Sequence, residues 1–314
     1  LNFKNLIFME YLLLIGGLAV LIGGGEVLVR GAVGIAAKFK LSPLVIGMTI
    51  VSFGTSAPEL IVSLKAALEG SPEIAIGNVV GSNIANISLV LGLTAIILPI
   101  PVAVATLKRD WPIMMFISLL FFVFILNGML DNWEGFIFVG LLLGYIIYQL
   151  KSSKNNEEEE TEVIKQHILV SILLITVGVI GLAFGADWLV QGAVTIAKNF
   201  GVSEHIIAVT IVAFGTSVPE LVTSVVAAVK KQMDISVGNL IGSNIFNILA
   251  VLGITAIFKE IPISETVISN DIFWVLGTSF IMLPLMLNYT ISRWKGALLF
   301  LSYLLYVFFL LQSI

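Results

Sequence analysis

The sequence predicts an all-α polytopic membrane protein in which ten transmembrane helices form two inverted five-helix repeats. Three observations support this prediction: an excess of apolar over charged residues, ten apolar runs of helical length, and a long internal duplication. Of the 314 residues, 58% are hydrophobic and 11% are charged, and the mean hydropathy is +1.08. Soluble domains are about 25% charged, so a lipid bilayer is the expected surrounding of this chain.

The apolar runs each approach the ~20 residues that a helix needs to cross the hydrocarbon of a bilayer. Strands of a membrane barrel would be about half as long and would alternate in polarity. The first run is expected to be a span and not a removed signal peptide, because no small-residue cleavage pattern follows it. The ten runs are 11–29, 44–67, 74–98, 111–127, 134–150, 168–190, 203–229, 235–258, 271–288 and 296–313.

One long polar stretch divides the chain into two halves of five predicted spans. It contains four consecutive glutamates, 157–160, without the spacing of an EF-hand calcium loop. The predicted domains are a first repeat at 1–150, an acidic linker at 151–166 and a second repeat at 167–314. Twelve of the 16 Lys and Arg residues fall on the linker side, so the positive-inside rule predicts a cytoplasmic linker with both termini outside the cell (inner) membrane.

Composition and motif content exclude several classes of function. A net charge of −4 without a basic cluster argues against nucleic-acid binding. The absence of cysteine excludes disulfides and thiolate chemistry. The sequence has no P-loop and no serine in a nucleophile elbow. We therefore expect neither an enzyme nor an ATP-driven pump, with no cofactor and no obligatory protein partner beyond the lipid bilayer.

The strongest signal is a duplication within the chain. Residues 46–92 and 207–253 are identical at 26 of 47 positions, at a constant offset of 161. Five predicted crossings separate the copies, so the second copy enters the membrane upside down. Transporters built this way place their substrate at midplane, where the halves meet on interrupted helices. Packing of small residues at helix contacts explains the repeated glycines but not the repeated acids.

Two glutamates, Glu59 and Glu220, occupy equivalent places well inside apolar runs. A charge at midplane costs ~3 kcal/mol or more, and such residues are functional candidates by default. A second repeat-related pair, Glu26 and Asp187, lies nearer to the ends of spans. We expect a structural role for this pair, because Glu26 precedes Arg30 by four residues, the spacing of a helical ion pair.

Each candidate glutamate ends a Gly-Thr-Ser-x-Pro-Glu motif. Proline in a helix removes an amide donor and frees the carbonyl four residues back, here that of Gly54 or Gly215. The following span carries Gly-Ser-Asn-Ile-x-Asn, whose Ser and last Asn share a helix face. The motifs predict a cluster of hard oxygens, which suits Ca²⁺ and Na⁺. The candidate ligands are Glu59, Glu220, Thr55, Thr216, Ser56, Ser217, Ser82, Ser243, Asn86 and Asn247.

A pocket with two carboxylates can neutralise one Ca²⁺, or most of the charge of two or three Na⁺. One pocket could therefore take the two ions in turn, which is the requirement for exchange by alternating access. Oxygen-lined sites also occur in channels, but the inverted duplication around an internal site favours a carrier.

The doubled motifs resemble the two α-repeats of the sodium/calcium exchanger family, of prokaryotic type, within the calcium/cation antiporter superfamily. The resemblance covers the whole ten-span plan. It implies a Ca²⁺/Na⁺ antiporter that exports Ca²⁺ with the sodium gradient, and long tilted first and sixth helices that slide to switch access. By motif position it also implies that Thr55 and Thr216 bind through backbone oxygens, flanked by the carbonyls of Ser52 and Ala213.

Two related modes of coupling stay open. Proton-coupled calcium exchangers of the superfamily typically carry Gly-Asn-x-x-Glu in place of the motif found here. Potassium-dependent exchangers carry aspartate where this sequence has Asn247. With neutral amides at both Asn86 and Asn247, the pocket has only two formal negative charges, so we expect transport that does not require K⁺.

Overall fold

The computed structural model describes residues 3–153, 167–200 and 213–312, and within these ranges the chain is helical apart from four two-residue strands and the connecting turns. In the first half the elements are α1 (Phe3–Phe39), α2 (Pro43–Thr55), α3 (Ala57–Leu68), α4 (Glu73–Ile97), β1 (Ile100–Pro101), α5 (Trp111–Ile125), β2 (Met129–Leu130) and α6 (Asn132–Ser153). In the second half they are α7 (Ile168–Asn199), α8 (Ala213–Thr216), α9 (Val218–Val229), α10 (Met233–Phe258), β3 (Ile261–Pro262), α11 (Val267–Met286), β4 (Thr290–Ile291) and α12 (Arg293–Gln312).

Within the described ranges, seven helices are long and apolar enough to cross a membrane, namely α1, α4, α6, α7, α10, α11 and α12. The bent pair α2 and α3 makes an eighth if it is counted as one span. These coincide with eight of the ten predicted runs. The predicted run 111–127 corresponds to α5, whose 15 residues continue without a break from a π-helical segment, Thr106–Asp110, that carries Lys108, Arg109 and Asp110. The run 203–229 lies partly outside the described residues, so the count of ten spans stays a prediction.

The element bounds recur at the same offset of 161 residues as the sequence motifs. The helix α3 matches α9, and each strand of the first half matches one of the second half. The strands, which the sequence did not predict, pair across the halves: β1 with β4, and β2 with β3. The start of α5 is thereby tied to the end of α11. These two equivalent helices therefore run in opposite directions.

The two longest helices, α1 and α7, pack against each other along most of their length and are also antiparallel. Their backbones touch where glycines face the partner helix. A Cβ placed on Gly17 would lie 2.6 Å from the amide nitrogen of Leu189, and one on Gly24 would lie 2.9 Å from that of Leu182. Small residues thus allow a close backbone approach, as in other membrane helix pairs.

The motif-bearing helices α4 and α10 form the centre of the molecule. Their most apolar 18-residue windows are 78% and 89% buried, against 22% to 33% for the windows of the other five long helices. Both contain a π-helical segment, Ala85–Leu91 in α4 and Asn247–Leu252 in α10. Such segments are frequent at functional sites. The two Gly-Ser-Asn-Ile-x-Asn motifs therefore lie in the most buried of the seven long helices.

Candidate cation site

The Gly-Thr-Ser-x-Pro-Glu motif interrupts a helix in both halves, as the sequence predicts. The break falls at Ser56 (φ −88°, ψ 2°) and at Ser217 (φ −88°, ψ 0°), and the proline follows in the first turn of the next helix. In the first half the two segments meet at an angle of 42°. Glu59 and Glu220 thus occupy the first turns of α3 and α9, where the helix dipole favours a negative charge.

Both glutamate side chains are fully buried. Ser56 Oγ donates a hydrogen bond to Glu220 Oε1 over 3.3 Å, so the motif of the first half reaches the glutamate of the second. Among the described residues, neither carboxylate oxygen of Glu59 nor Oε2 of Glu220 has a hydrogen-bond partner. A buried carboxylate is very costly unless it is paired or coordinates a cation.

The hydroxyl groups of the site pair across the halves. Thr55 Oγ1 lies 3.3 Å from Ser243 Oγ in α10, and Thr216 Oγ1 lies 3.3 Å from Ser82 Oγ in α4. The motif threonine of each half thus contacts the motif serine of the other half. Ser217 is fully buried, and its Oγ has no hydrogen-bond partner in the described ranges. The structure therefore pairs four of the predicted hydroxyls across the two halves.

The two candidate carboxamides lie at the start of the π-helical segments and are fully buried. Asn247 Nδ2 donates to Asn83 Oδ1 over 3.0 Å. Asn247 Oδ1 is buried and has no hydrogen-bond partner within the described part of the chain. Asn86 Nδ2 and Oδ1 are likewise buried without a hydrogen-bond partner among the described residues. Asn83 was not predicted, and its amide also donates to the carbonyl of Asn244 over 3.3 Å.

The resemblance also suggests two backbone carbonyls as ligands, those of Ser52 and Ala213. Unlike several of the side-chain candidates, the Ser52 carbonyl already has hydrogen-bond partners. The Ser52 carbonyl already accepts from the amide of Ser56 at 2.9 Å and from Thr55 Oγ1 at 3.3 Å. Ser52 Oγ donates to the carbonyl of Gly47, over 2.7 Å, and to that of Asn239, over 3.0 Å. Binding an ion at the Ser52 carbonyl would require one of these acceptor contacts to open. Ala213 is the first residue of α8, and its side chain lies outside the described residues.

The interpretation of the second acidic pair needs one correction. Glu26 does not pair with Arg30, as its sequence spacing predicted, but with Lys230 at the end of α9, at 2.8 Å. Tertiary proximity to a second helix therefore overrides the i,i+4 spacing. Asp187 accepts a hydrogen bond from Gln191 Nε2 over 2.8 Å and is exposed. Neither acid contacts the buried cluster, in agreement with the structural role expected for the pair.

A second set of neighbours of the site was also not predicted from the sequence, although the duplication contains it. Asn78 and Asn239 occupy equivalent positions and are identical in the two copies. Both side chains reach back to the glutamate-bearing helices, as described below. Among the described residues, no group of three or more His, Cys, Asp or Glu side chains could hold a metal ion. The candidate ligands therefore include only two carboxylates, those of Glu59 and Glu220.

The fold is that of a polytopic helical membrane protein, and polar side chains of its two related halves are buried against each other between the halves. A sequence profile described as sodium/calcium exchanger protein matches residues 9–151 and 170–312. The chain belongs to the sodium/calcium exchanger family.

Individual relatives extend over nearly the whole chain. The putative antiporter CaxA of Alkalimonas amylolytica is 37% identical over 309 residues, which cover 95% of this chain and 97% of that protein. The inner membrane protein YrbG of Escherichia coli K12 is 35% identical over 279 residues, 86% of each chain. The solved structure of the sodium-calcium exchanger NCX_Mj, soaked with zero Na⁺ and Ca²⁺, superposes with a TM-score of 0.84 at 31% identity, covering 97% of this chain and 99% of that one.

Proposed function

We propose that this protein is a secondary active transporter that exchanges Na⁺ for Ca²⁺ and exports Ca²⁺ with the sodium gradient. The observation that carries the proposal is that six buried side-chain oxygens of the predicted ligand residues have no hydrogen-bond partner among the described residues. Leaving a buried polar group unpaired costs about 1–3 kcal/mol, so six such atoms on the repeated motifs require an explanation such as a bound ion. These oxygens are Glu59 Oε1 and Oε2, Glu220 Oε2, Ser217 Oγ, Asn86 Oδ1 and Asn247 Oδ1.

The composition of this cluster fits the proposed cargo. Ca²⁺ takes about six to eight oxygen ligands in a flexible geometry, and carboxylates, hydroxyls, carboxamides and backbone carbonyls are all suitable. Two carboxylates balance the charge of one Ca²⁺, while the neutral oxygens complete its coordination. We assign the twelve residues predicted from the sequence as the ligand set, with Glu59 and Glu220 shared between the ions.

The architecture supports alternating access through inverted repeats. The strand pairs β1–β4 and β2–β3 hold equivalent helices in opposite directions, and α1 runs antiparallel to its equivalent α7. We propose that the complete chain has ten spans in two inverted repeats, with the site between them. From the distribution of Lys and Arg we infer a cytoplasmic linker at 151–166 and termini outside the cell membrane.

The function is tested by reconstituting the full chain into liposomes and measuring ⁴⁵Ca²⁺ uptake under imposed gradients. We expect an outward Na⁺ gradient to drive uptake, because both ions use the same oxygens. Replacing internal K⁺ by choline should leave the sodium-driven flux unchanged, because K⁺ and Ca²⁺ together would place three positive charges against two carboxylates.

Each other outcome of this measurement identifies a different transporter. Uptake driven by a pH gradient and indifferent to Na⁺ would identify proton coupling. An obligatory K⁺ requirement would contradict the count of charges in the pocket. Calcium movement down its own gradient without any counter-ion would indicate a channel.

A further inference from the structure

An asparagine outside the predicted ligand set ties each glutamate-bearing helix to its neighbour. In the first half, Asn78 Nδ2 in α4 donates to Ser63 Oγ over 2.9 Å. In the second half, Asn239 Nδ2 in α10 donates to Ser224 Oγ over 3.1 Å. Each serine lies four residues, about one helical turn, after the glutamate of its own half. In both halves, the same hydrogen bond therefore holds the glutamate-bearing helix one turn after the glutamate.

The first of these contacts also touches the backbone of the glutamate itself. Asn78 Nδ2 lies 3.3 Å from the carbonyl oxygen of Glu59 and donates to it. Ser63 is fully buried, so water cannot replace a lost partner at the hydroxyl. The position of the first turn of α3, and with it the position of the Glu59 carboxylate, thus depends on the Asn78 amide.

The second contact extends across the two halves. Asn239 Oδ1 accepts a hydrogen bond from Thr55 Oγ1 over 3.1 Å, and the Asn239 carbonyl accepts one from Ser52 Oγ over 3.0 Å. Asn239, Ser224 and Thr55 are all fully buried. One side chain therefore fixes the helix that carries Glu220 and, through Thr55, the bent helix of the opposite half.

We propose that Asn78 and Asn239 are positioning residues of the cation site. The Asn239 carboxamide is hydrogen-bonded to protein groups at both its nitrogen and its oxygen, so it acts through the residues it holds and not as a ligand. This inference rests on the proposed function, since it assigns the role that these residues play in binding Ca²⁺. Coordination by fixed oxygens requires ligands held within about 0.5 Å of the productive geometry.

The test compares two substitutions in the same helix. Asn239→Ala removes the donor to the buried Ser224 Oγ and one of the three hydrogen-bond partners of Thr55 Oγ1. Ser236→Ala is the matched control, because Ser236 is fully buried, lies about one turn earlier in α10, and its Oγ has no hydrogen-bond partner in the described part of the structure. The first repeat already carries alanine at the equivalent position, Ala75.

The measurement is the equilibrium dissociation constant of ⁴⁵Ca²⁺ for the purified full chain in detergent, with KM and maximal rate of calcium uptake in liposomes as a second readout. We expect Asn239→Ala to weaken Ca²⁺ binding on the order of tenfold and to raise KM in parallel, which follows from the loss of hydrogen bonds at a buried group. Ser236→Ala should bind as the wild type does. A purely structural role would lower the yield of folded protein but leave its dissociation constant unchanged.

A wild-type dissociation constant for Asn239→Ala would overturn the positioning role. If that variant does not fold, Ser224→Ala decides the question, because it removes only the oxygen that accepts from the Asn239 amide. A severalfold weaker affinity in Ser224→Ala then supports the role, and a wild-type affinity overturns it. Failure of the wild-type protein to bind Ca²⁺ at all would contradict the proposed function itself, and it is recognised before any variant is compared.

Discussion

Calcium transport is expected to fall about a hundredfold or more when Glu59 or Glu220 is replaced by glutamine. Each substitution keeps the size of a fully buried side chain and removes one of the two charges that we propose balance a divalent ion. Removing one partner of a buried ion pair costs about 3–5 kcal/mol, and each 1.4 kcal/mol corresponds to about a factor of ten. The measurement is sodium-driven ⁴⁵Ca²⁺ uptake in liposomes, normalised to the amount of reconstituted protein.

The controls for the glutamate variants are Glu26→Gln and Asp187→Asn. Glu26 forms an ion pair with Lys230 in which both side chains are partly exposed, and such pairs contribute about 0–1 kcal/mol. Asp187 is exposed and bonded to a neighbour on its own helix. Both controls should transport at rates close to wild type. Wild-type transport by Glu59→Gln or Glu220→Gln would remove the assignment of the site.

The second large effect is expected from Gly24→Leu in the contact between α1 and α7. Even the first side-chain carbon at position 24 would lie 2.9 Å from the Leu182 nitrogen and 3.1 Å from the Gly178 carbonyl oxygen. Both are backbone atoms, so the helices must separate. We expect a loss of stability at the upper end of the ~1–3 kcal/mol range of overpacking, or beyond it. The measurement is the thermal unfolding temperature of the purified protein, with the loss of monodispersity on heating as the readout.

The adjacent Gly23→Leu is the matched control for Gly24→Leu. A Cβ at Gly23 meets no atom within 4 Å, and leucine suits a surface that faces lipid. Its unfolding temperature should equal that of the wild type. Equal stability of the two variants would show that the glycine contact between α1 and α7 does not determine how closely these helices pack.

Elements that depend on local chemistry could be predicted from the sequence. The helix breaks at Ser56 and Ser217 precede prolines at 58 and 219, and the missing amide of proline is a property of the residue itself. The duplication identified the motifs, and the structure brings the predicted side chains Ser56, Thr55 and Ser82 into contact with partners in the second half. Apolar length was also sufficient to locate eight of the ten runs as helices.

Features that depend on distant contacts could not be predicted in this way. Glu26 pairs with Lys230, which is 204 residues away in the sequence, and not with Arg30, which is one turn along its own helix. The strand pairs join segments that belong to different halves, and two residues are too few to give a strand pattern. The contacts of Asn239 with Thr55 and Ser224 require the packed helices, although the identical asparagines in both copies were visible in the sequence.

The central claim is that one pocket, built by both halves, binds Ca²⁺ and Na⁺ in turn. The most direct measurement is ⁴⁵Ca²⁺ bound to the purified full chain, titrated with NaCl against choline chloride at constant ionic strength. The proposed site predicts that Na⁺ displaces the bound Ca²⁺ completely while choline does not, and that Glu59→Gln and Glu220→Gln each bind little Ca²⁺ to displace. Calcium that stays bound at saturating Na⁺, with wild-type affinity in both glutamine variants, would contradict the claim.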